Sequence, residues 1–207
     1  MAQGSDLWKQ TKRRTTFVSG TTIQSICNEH PFKNADDVFN ELIGTKPHFT
    51  GNEFSLLGQT MESVIVKRYE EITGNTVETN LPITYMPNWP NVGVSPDGVV
   101  FLTADGKKRD PVLPIEIKYA PKRVIIKGTV PSYYAGQLQL TMAIFNVPRM
   151  HFVQMSAEGD IDIIEITRIE DYFEQRQHKI AAFIKRVQDY RAQKPDWETD
   201  YLRWEDE

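Results

Sequence analysis

The sequence predicts a mixed α/β (α+β) chain with a central mixed β-sheet flanked by helices. Three observations carry that expectation. Apolar residues recur at helical spacing as far as Ile72, then at roughly every second position from Val77 to Tyr119, so the period changes from helix to strand. A second helical stretch, Tyr134 to Phe145, separates those strands from a final pair, as a crossover connection would. Lastly, 207 residues with 40% hydrophobic side chains suffice for one sizeable core. Residues 1–207 are therefore read as a single domain, with its core over about 14–192 and an acidic tail over 193–207.

Taken in order, a short helix is expected from Thr22 to Asn28, ending before Pro31. Asn34 caps a helix carrying Val38, Phe39 and Leu42, closed by Gly44. Thr50-Gly51-Asn52-Glu53 has capping-box spacing and opens a longer helix. Its apolar stripe reads Phe54, Leu57, Met61, Val64, Ile65 and Ile72, and Gly74 stops it. Strands are expected at Val77–Leu81, Ile83–Tyr85, Val92–Val94, Val99–Leu102 and Val112–Tyr119, with turns at Asp97-Gly98 and Asp105-Gly106. Ser132 is read as the cap of the crossover helix, whose stripe is Tyr134, Leu138, Met142 and Phe145. His151–Met155 and Ile161–Ile166 then form two strands joined at Glu158-Gly159. A closing helix from Ile169 to Ala192 carries Phe173, Ile180, Phe183, Ile184 and Val187.

Composition narrows the function classes. A charged fraction of 25% argues for a globular domain rather than disorder, and no apolar run reaches membrane-spanning length. Residues 1–14 show no apolar signal core, so an intracellular protein is expected. The single cysteine, Cys27, excludes an internal disulfide or a cysteine zinc cage and reads as a buried thiol. His30, His48, His151 and His178 show no metal spacing. Trp89 and Trp197 read as packing residues.

The net charge of −4 is unevenly spread. Residues 156–207 carry 14 acidic and 8 basic side chains, whereas residues 1–155 carry 14 and 16. The basic residues there cluster as Lys12-Arg13-Arg14, Lys107-Lys108-Arg109, and Lys118 through Lys122-Arg123 to Lys127. Such clusters can grip phosphates despite an acidic total.

Along the strand Val112–Tyr119, alternation puts Glu116 and Lys118 on one face and Ile115, Ile117 and Tyr119 on the other. Ser95-Pro96-Asp97-Gly98 is a turn by composition. A hairpin returning from it would set Asp97 beside Glu116. Two carboxylates converging with a lysine make a hard-oxygen site suited to Mg²⁺, with the lysine placed to act on an attacking water. In Gly58-Gln59-Thr60-Met61-Glu62, Glu62 borders the apolar stripe, where a carboxylate needs a partner or a cation. Gly58 would allow a close approach. Tyr134 and Gln137 share a helix face, and the Gln137 amide suits a phosphate or a bracing contact to the lysine, while Gln139 points elsewhere.

With Gly58…Glu62, Ser95-Pro96-Asp97-Gly98, Glu116-Ile117-Lys118 and Tyr134…Gln137-x-Gln139 in this order, the chain resembles the lambda exonuclease branch of the PD-(D/E)XK nucleases, the YqaJ-like viral recombinases. The resemblance spans about Arg14 to Met155 and implies a restriction-endonuclease-like fold. It implies that Asp97, Glu116 and the Ile117 carbonyl hold Mg²⁺ (Mn²⁺ substituting), with Lys118 orienting the water. Glu62 would serve a second metal or its water, and Gln137 would brace the site. The resemblance also implies an N-terminal arginine and a hydroxyl residue that receive a 5′ phosphate. Arg14 and Thr21 match, with Arg13 and Ser19 as alternatives in a loose register. Ser95, Tyr134, Lys122 and Arg123 complete the expected DNA contacts. The long basic loop Thr103–Pro111 and the acidic end Trp197–Glu207 depart from the family pattern.

The expected activity is a two-metal 5′→3′ exonuclease acting on linear duplex DNA with a 5′-phosphorylated end, in viral or phage-type recombination. A single-strand annealing partner and a homo-oligomer, a trimer by resemblance, are implied. Two other readings stand beside it: a structure- or sequence-specific endonuclease with the same site, and a DNA-binding module without catalysis.

Overall fold

In a computed structural model of the chain, residues 5–47, 53–101 and 113–203 are described, the side chains of 53–55 excepted. The capping box at Thr50, the Phe54 side chain, the Asp105-Gly106 turn, the Thr103–Pro111 loop and residues 204–207 lie outside them.

The chain opens with a helix absent from the sequence expectation, α1 (Asp6–Thr15), with Ser5 capping the Trp8 N–H. None of its residues is fully buried. A polar helix leaves no apolar stripe to read, which is why periodicity passes over it. Strand β1 (Val18–Ser19) follows, then α2 (Ile23–Ile26), all four residues of which are buried. Cys27 is buried at its end, and burial pushes its thiol up to about 11. Helix α3 (Ala35–Leu42) has the expected Asn34 cap, here a full capping box with Asp37. Gly44 follows in the left-handed region at φ 76°.

Helix α4 (Glu53–Thr73) ends at Gly74 as expected, but its buried face is narrower than the predicted stripe. Ile65 and Tyr69 are fully buried, whereas Leu57, Val64 and Ile72 are exposed. The helix touches the sheet along the i, i+4 row through those two residues and leaves the flanking apolar positions uncovered.

The strands form two sheets rather than one. A three-stranded sheet orders β1–β4–β3, from β3 (Thr84–Met86) and β4 (Trp89–Val94). A five-stranded sheet orders β2–β5–β6–β7–β8. Its members are β2 (Val77–Glu78), β5 (Gly98–Val100), β6 (Leu113–Ala120), β7 (Arg149–Ser156) and β8 (Ile161–Thr167). Strand β2 stops well short of Leu81. Only the β6–β7 pair of this larger sheet is parallel. The chain makes that connection through a 3-10 turn (Ser132–Tyr134) and helix α5 (Ala135–Phe145), as a crossover must. Ser132 makes no capping bond there; it lies inside the 3-10 turn.

Helix α5 is apolar nearly all round because it packs on both sides. Leu138 and Met142 meet Phe152 and Met150 of the larger sheet. Leu140 and Ile144 meet Val92 and Val94 of the smaller sheet, together with α2, α3 and α6 (Gln177–Gln193). The closing helix therefore begins later than Ile169; residues 170–176 form turns. Gln139 ties the end of β8 to α5, donating to the Thr167 carbonyl (3.0 Å) and accepting the Ile169 N–H (2.7 Å). On the other face of the larger sheet, Ile65 and Tyr69 of α4 cover Ile115, Ile117 and Val153. Tyr69 also bonds His151 at 2.9 Å. A last helix, α7 (Trp197–Leu202), occupies part of the acidic tail. Among the described residues no helix is long and apolar enough to cross a membrane.

Gly98 sets the spacing between β2, β5 and β6. A Cβ there would sit 2.5 Å from Val77 Cγ1 and 3.1 Å from Ile115 Cδ1. Gly98→Ala should therefore destabilise the fold by about 1–3 kcal/mol through overpacking, read as a lower urea midpoint; an unchanged midpoint would contradict this packing.

Candidate active site

The site begins with strand register. Gly98 pairs with Ile115 and Val99 with Pro114 in the antiparallel β5–β6 ladder, so one step earlier Asp97 falls opposite Glu116. Asp97 does not continue the ladder. Its Oδ2 accepts the Ile117 N–H at 2.7 Å, holding the carboxylate against the edge of β6. In a strand the N–H and C=O of one residue point to the same side. The Ile117 carbonyl thus faces the same edge as Asp97.

Glu116 lies on the β6 face opposite Ile115 and Ile117 and is 1% exposed. Its Oε1 accepts two hydrogen bonds, one from Lys118 Nζ and one from Gln137 Nε2 at 2.5 Å. Gln137 reaches it from α5, steadied by the bond from Thr141 Oγ1 to its carbonyl (2.9 Å). Glu116 Oε2 is buried with no hydrogen-bond partner. An unpartnered buried carboxylate oxygen is expensive, and a cation is the partner that would satisfy it.

The electrostatics agree. Burial, then the Asp97 charge, pushes the Glu116 carboxyl up, with Lys118 pulling the other way. Burial also raises Glu62, to about 7, again with Asp97 adding to it and Lys118 opposing. For Lys118, burial alone would lower the ammonium, but Glu116 and Asp97 outweigh it and the net shift is upward. Three carboxylates around one lysine leave an excess of negative charge, which fits a divalent cation held by Asp97, Glu116 and the Ile117 carbonyl. Among the described residues no three His, Cys, Asp or Glu side chains close into a cage. That open donor set suits a hard cation that keeps waters and meets phosphate oxygens.

A cavity of about 190 Å³ opens over these groups. Asp97, Glu116, Lys118, Gln137, Ser95, Ser19 and Thr21 all line it. The Ser19–Thr21 loop presses so closely on α5 that a Cβ on Gly20 would lie 2.8 Å from Gln137 Cγ. Glu62 approaches from α4 closely enough to feel Asp97 and Lys118, but it does not line the cavity. A Cβ on Gly58 would meet no described atom within 4 Å, so no protein packing requires a glycine there.

Other expected contacts lie elsewhere. Arg14 is turned away from the cavity and grips Glu198 of α7, with Nε–Oε1 at 2.8 Å and Nη2–Oε2 at 3.1 Å. Arg13 reaches the same carboxylate at 3.4 Å. Arg123 donates to the buried Gln154 at 2.8 Å, and Lys122 lies beside it beyond the end of β6. Tyr134 borders the site, its ring centroid 5.4 Å from Lys118 Nζ. Trp89 and Trp197 pack, against Phe173 (5.3 Å) and under Arg191 (3.4 Å).

In place of Arg14, α1 sends Lys12 into the cavity with Trp8. Lys12 Nζ lies 5.0 Å from the Trp8 ring centroid, and burial lowers its ammonium. No ion pair engages it among the described residues. The sequence holds the signal in the i, i+4 spacing of Trp8 and Lys12, which means something only once a helix is placed there.

The family model for the YqaJ-like viral recombinase domain matches residues 7–148. No curated protein matches in sequence. Among solved structures, an alkaline exonuclease from Laribacter hongkongensis superposes with a TM-score of 0.67 at 18% identity, covering 90% of this chain and 94% of that one. The same exonuclease in complex with dAMP gives 0.68 at 19% identity, with the same coverage. A phage-related exonuclease from Haemophilus somnus 129PT gives 0.63 at 12% identity, covering 86% and 96%. At these identities the likeness is one of fold.

The raised Glu62 carboxyl sets a stability trend. A group whose folded value exceeds its unfolded one stabilises fully below the unfolded value and loses that contribution as pH rises through the folded value. The metal-free protein should therefore lose thermal stability between about pH 4.5 and 7, the window set by the Glu62 shift. Glu62→Gln should flatten that slope in melting curves taken in EDTA. An identical slope in the variant would refute the assignment.

Proposed function

Because the chain belongs to the YqaJ-like viral recombinase family, we propose that it is a Mg²⁺-dependent deoxyribonuclease that degrades one strand of linear duplex DNA from a 5′-phosphorylated end. The observation that carries this reading is the buried, unpartnered Glu116 Oε2 at a cavity that Asp97 and Lys118 also line. Asp97, Glu116 and the Ile117 carbonyl would hold Mg²⁺, for which Mn²⁺ can substitute, and Glu62 would serve a second ion. The bound ions would polarise the phosphodiester and lower the pKa of the attacking water.

The chain's own groups have distinct tasks. Gln137 holds the Glu116 carboxylate in place by donating to Oε1. Lys118, whose carboxylate neighbours keep it an ammonium, acts as a donor that orients the water and steadies charge on the phosphate. Across the cavity, Lys12 with the hydroxyls of Ser19 and Thr21 receives the terminal 5′ phosphate. An unpaired, partly desolvated ammonium suits a phosphate, and the Arg14 guanidinium is engaged by Glu198. Ser95 lines the same cavity, and Tyr134 flanks Lys118. The exposed apolar Leu56, Leu57 and Val64 on α4 give a homo-oligomer, a trimer by family resemblance, a face to bury. The strand left behind would pass to a single-strand annealing protein.

End-labelled linear duplex incubated with Mg²⁺ should be digested, and Lys118→Ala should slow this by about 100-fold or more. Retained activity in that variant refutes the site. Cutting of a covalently closed circle as fast as the linear form refutes end dependence. Lys12→Ala should erase the preference for 5′-phosphorylated over 5′-hydroxyl ends, measured as kcat/KM on paired substrates. If the preference survives in Lys12→Ala and is lost in Arg14→Ala, the phosphate belongs to Arg14.

A further inference from the structure

Outside the cavity lies an aromatic row that the reaction does not use. Phe32 is 82% exposed, an unusual position for so large an apolar ring. The ring is nevertheless held in place. The Phe32 N–H donates to His30 Nδ1 at 3.2 Å, and the ring sits 5.8 Å from His30 and 6.3 Å from Tyr133. His30 and Tyr133 are themselves 6.4 Å apart, so the three rings form a compact triangle. Two chain segments are joined beneath it, since Gln24 Nε2 donates to the Ser132 carbonyl at 3.1 Å.

The row continues toward the cavity. Tyr133 lies 4.5 Å from Tyr134, and Tyr134 lies 5.4 Å from Lys118 Nζ. An unbroken path of rings thus connects the exposed Phe32 with the lysine beside Glu116. The segment leading into Tyr133 carries Lys122, Arg123 and Lys127, and the Arg123 charge reaches the Tyr134 hydroxyl.

We propose that His30, Phe32 and Tyr133 form a stacking platform for the bases of single-stranded DNA next to the cavity. Every base has a π-face, so exposed aromatic rings in a basic setting bind single strands with little sequence preference. Bases in a duplex are already stacked on one another and offer only their edges. The platform therefore selects unpaired nucleotides, and its continuity with Lys118 puts them beside the reacting end. This inference rests on the nuclease reading for the identity of the polymer.

The test measures binding of a labelled oligothymidylate of about twelve nucleotides by fluorescence anisotropy, in EDTA so that no strand is cut. Phe32→Ala should weaken binding roughly 5- to 150-fold, the span for loss of one base–aromatic stack. Tyr133→Ala should act in the same direction, and Phe32→Trp should keep wild-type affinity. A blunt duplex of equal length should respond little to Phe32→Ala. Because Phe32 is so exposed, its melting temperature should not move, and a melting curve checks this. The proposal is overturned if wild type does not bind the oligothymidylate, if Phe32→Ala binds it equally well, or if Phe32→Trp is as weak as Phe32→Ala. Failure of the nuclease reading shows separately, as labelled duplex that survives Mg²⁺ while the oligothymidylate affinities still divide the variants. A platform used for a protein instead leaves digestion intact and the affinities undivided.

Discussion

The burial of the Glu116 carboxylate is the constraint around which the molecule is organised. A charge at 1% exposure needs compensation, and two separate elements supply it. Strand β6 provides Lys118 two residues along the same face, and α5 provides Gln137 from across the crossover. The register of β5 sets Asp97 opposite, and its like charge adds to the cost instead of relieving it. Even so, Oε2 stays without a partner. The oxygen left bare is the one that the proposed cation would satisfy. The larger sheet makes this affordable by burying Ile115 and Ile117 on its other face under Ile65 and Tyr69.

Much of this was legible in the sequence, because strand alternation is a strong rule. Glu116 and Lys118 had to share a face, and pairing of the strand after Ser95-Pro96-Asp97-Gly98 with β6 had to bring Asp97 beside Glu116. The Asn34 cap and the Gly74 stop were equally plain, since each rests on a local hydrogen bond or dihedral demand. The division into two sheets was not legible. Strand pairing is a long-range property, and β1, with two residues, gives no periodic signal before it docks parallel to β4. Helix α5 misled for the same reason: an expected one-sided stripe proved to be a helix enclosed by both sheets.

The basic run Lys12-Arg13-Arg14 shows how a missed element changes which side chain reaches the cavity. Without a helix, the three side chains are interchangeable and the loose register favours Arg14. Once α1 is in place, successive residues diverge by about 100° around the axis. Lys12 then shares Trp8's face and enters the cavity, while Arg14 meets Glu198 on another side. Chemistry follows from that rotation. The side chain that reaches the cavity is an ammonium lowered by burial and set beside the Trp8 ring, whereas the guanidinium outside is held by the Glu198 carboxylate.

The acidic tail takes on a role through the same helix. Because α1 buries no residue fully, the apolar effect alone does not fix its position. Its restraints are polar and come largely from the C-terminal part of the chain. Glu198 pairs with Arg13 and Arg14, and Arg191 donates to the carbonyls of Arg13, Arg14 and Leu42. Arg191 is itself stacked on Trp197 at 3.4 Å, so α6 and α7 act on α1 together. From the other side, Thr15 bonds the Tyr85 hydroxyl at 2.6 Å. Negative charge near residue 198 therefore does not oppose an anionic polymer at the cavity some way off. It occupies Arg13 and Arg14 and helps to hold the helix that carries Lys12 into the cavity. A net charge of −4 is compatible with the proposed phosphate-binding cavity because acidic residues such as Glu198 serve as internal counter-ions, while Lys12 stays on the cavity wall.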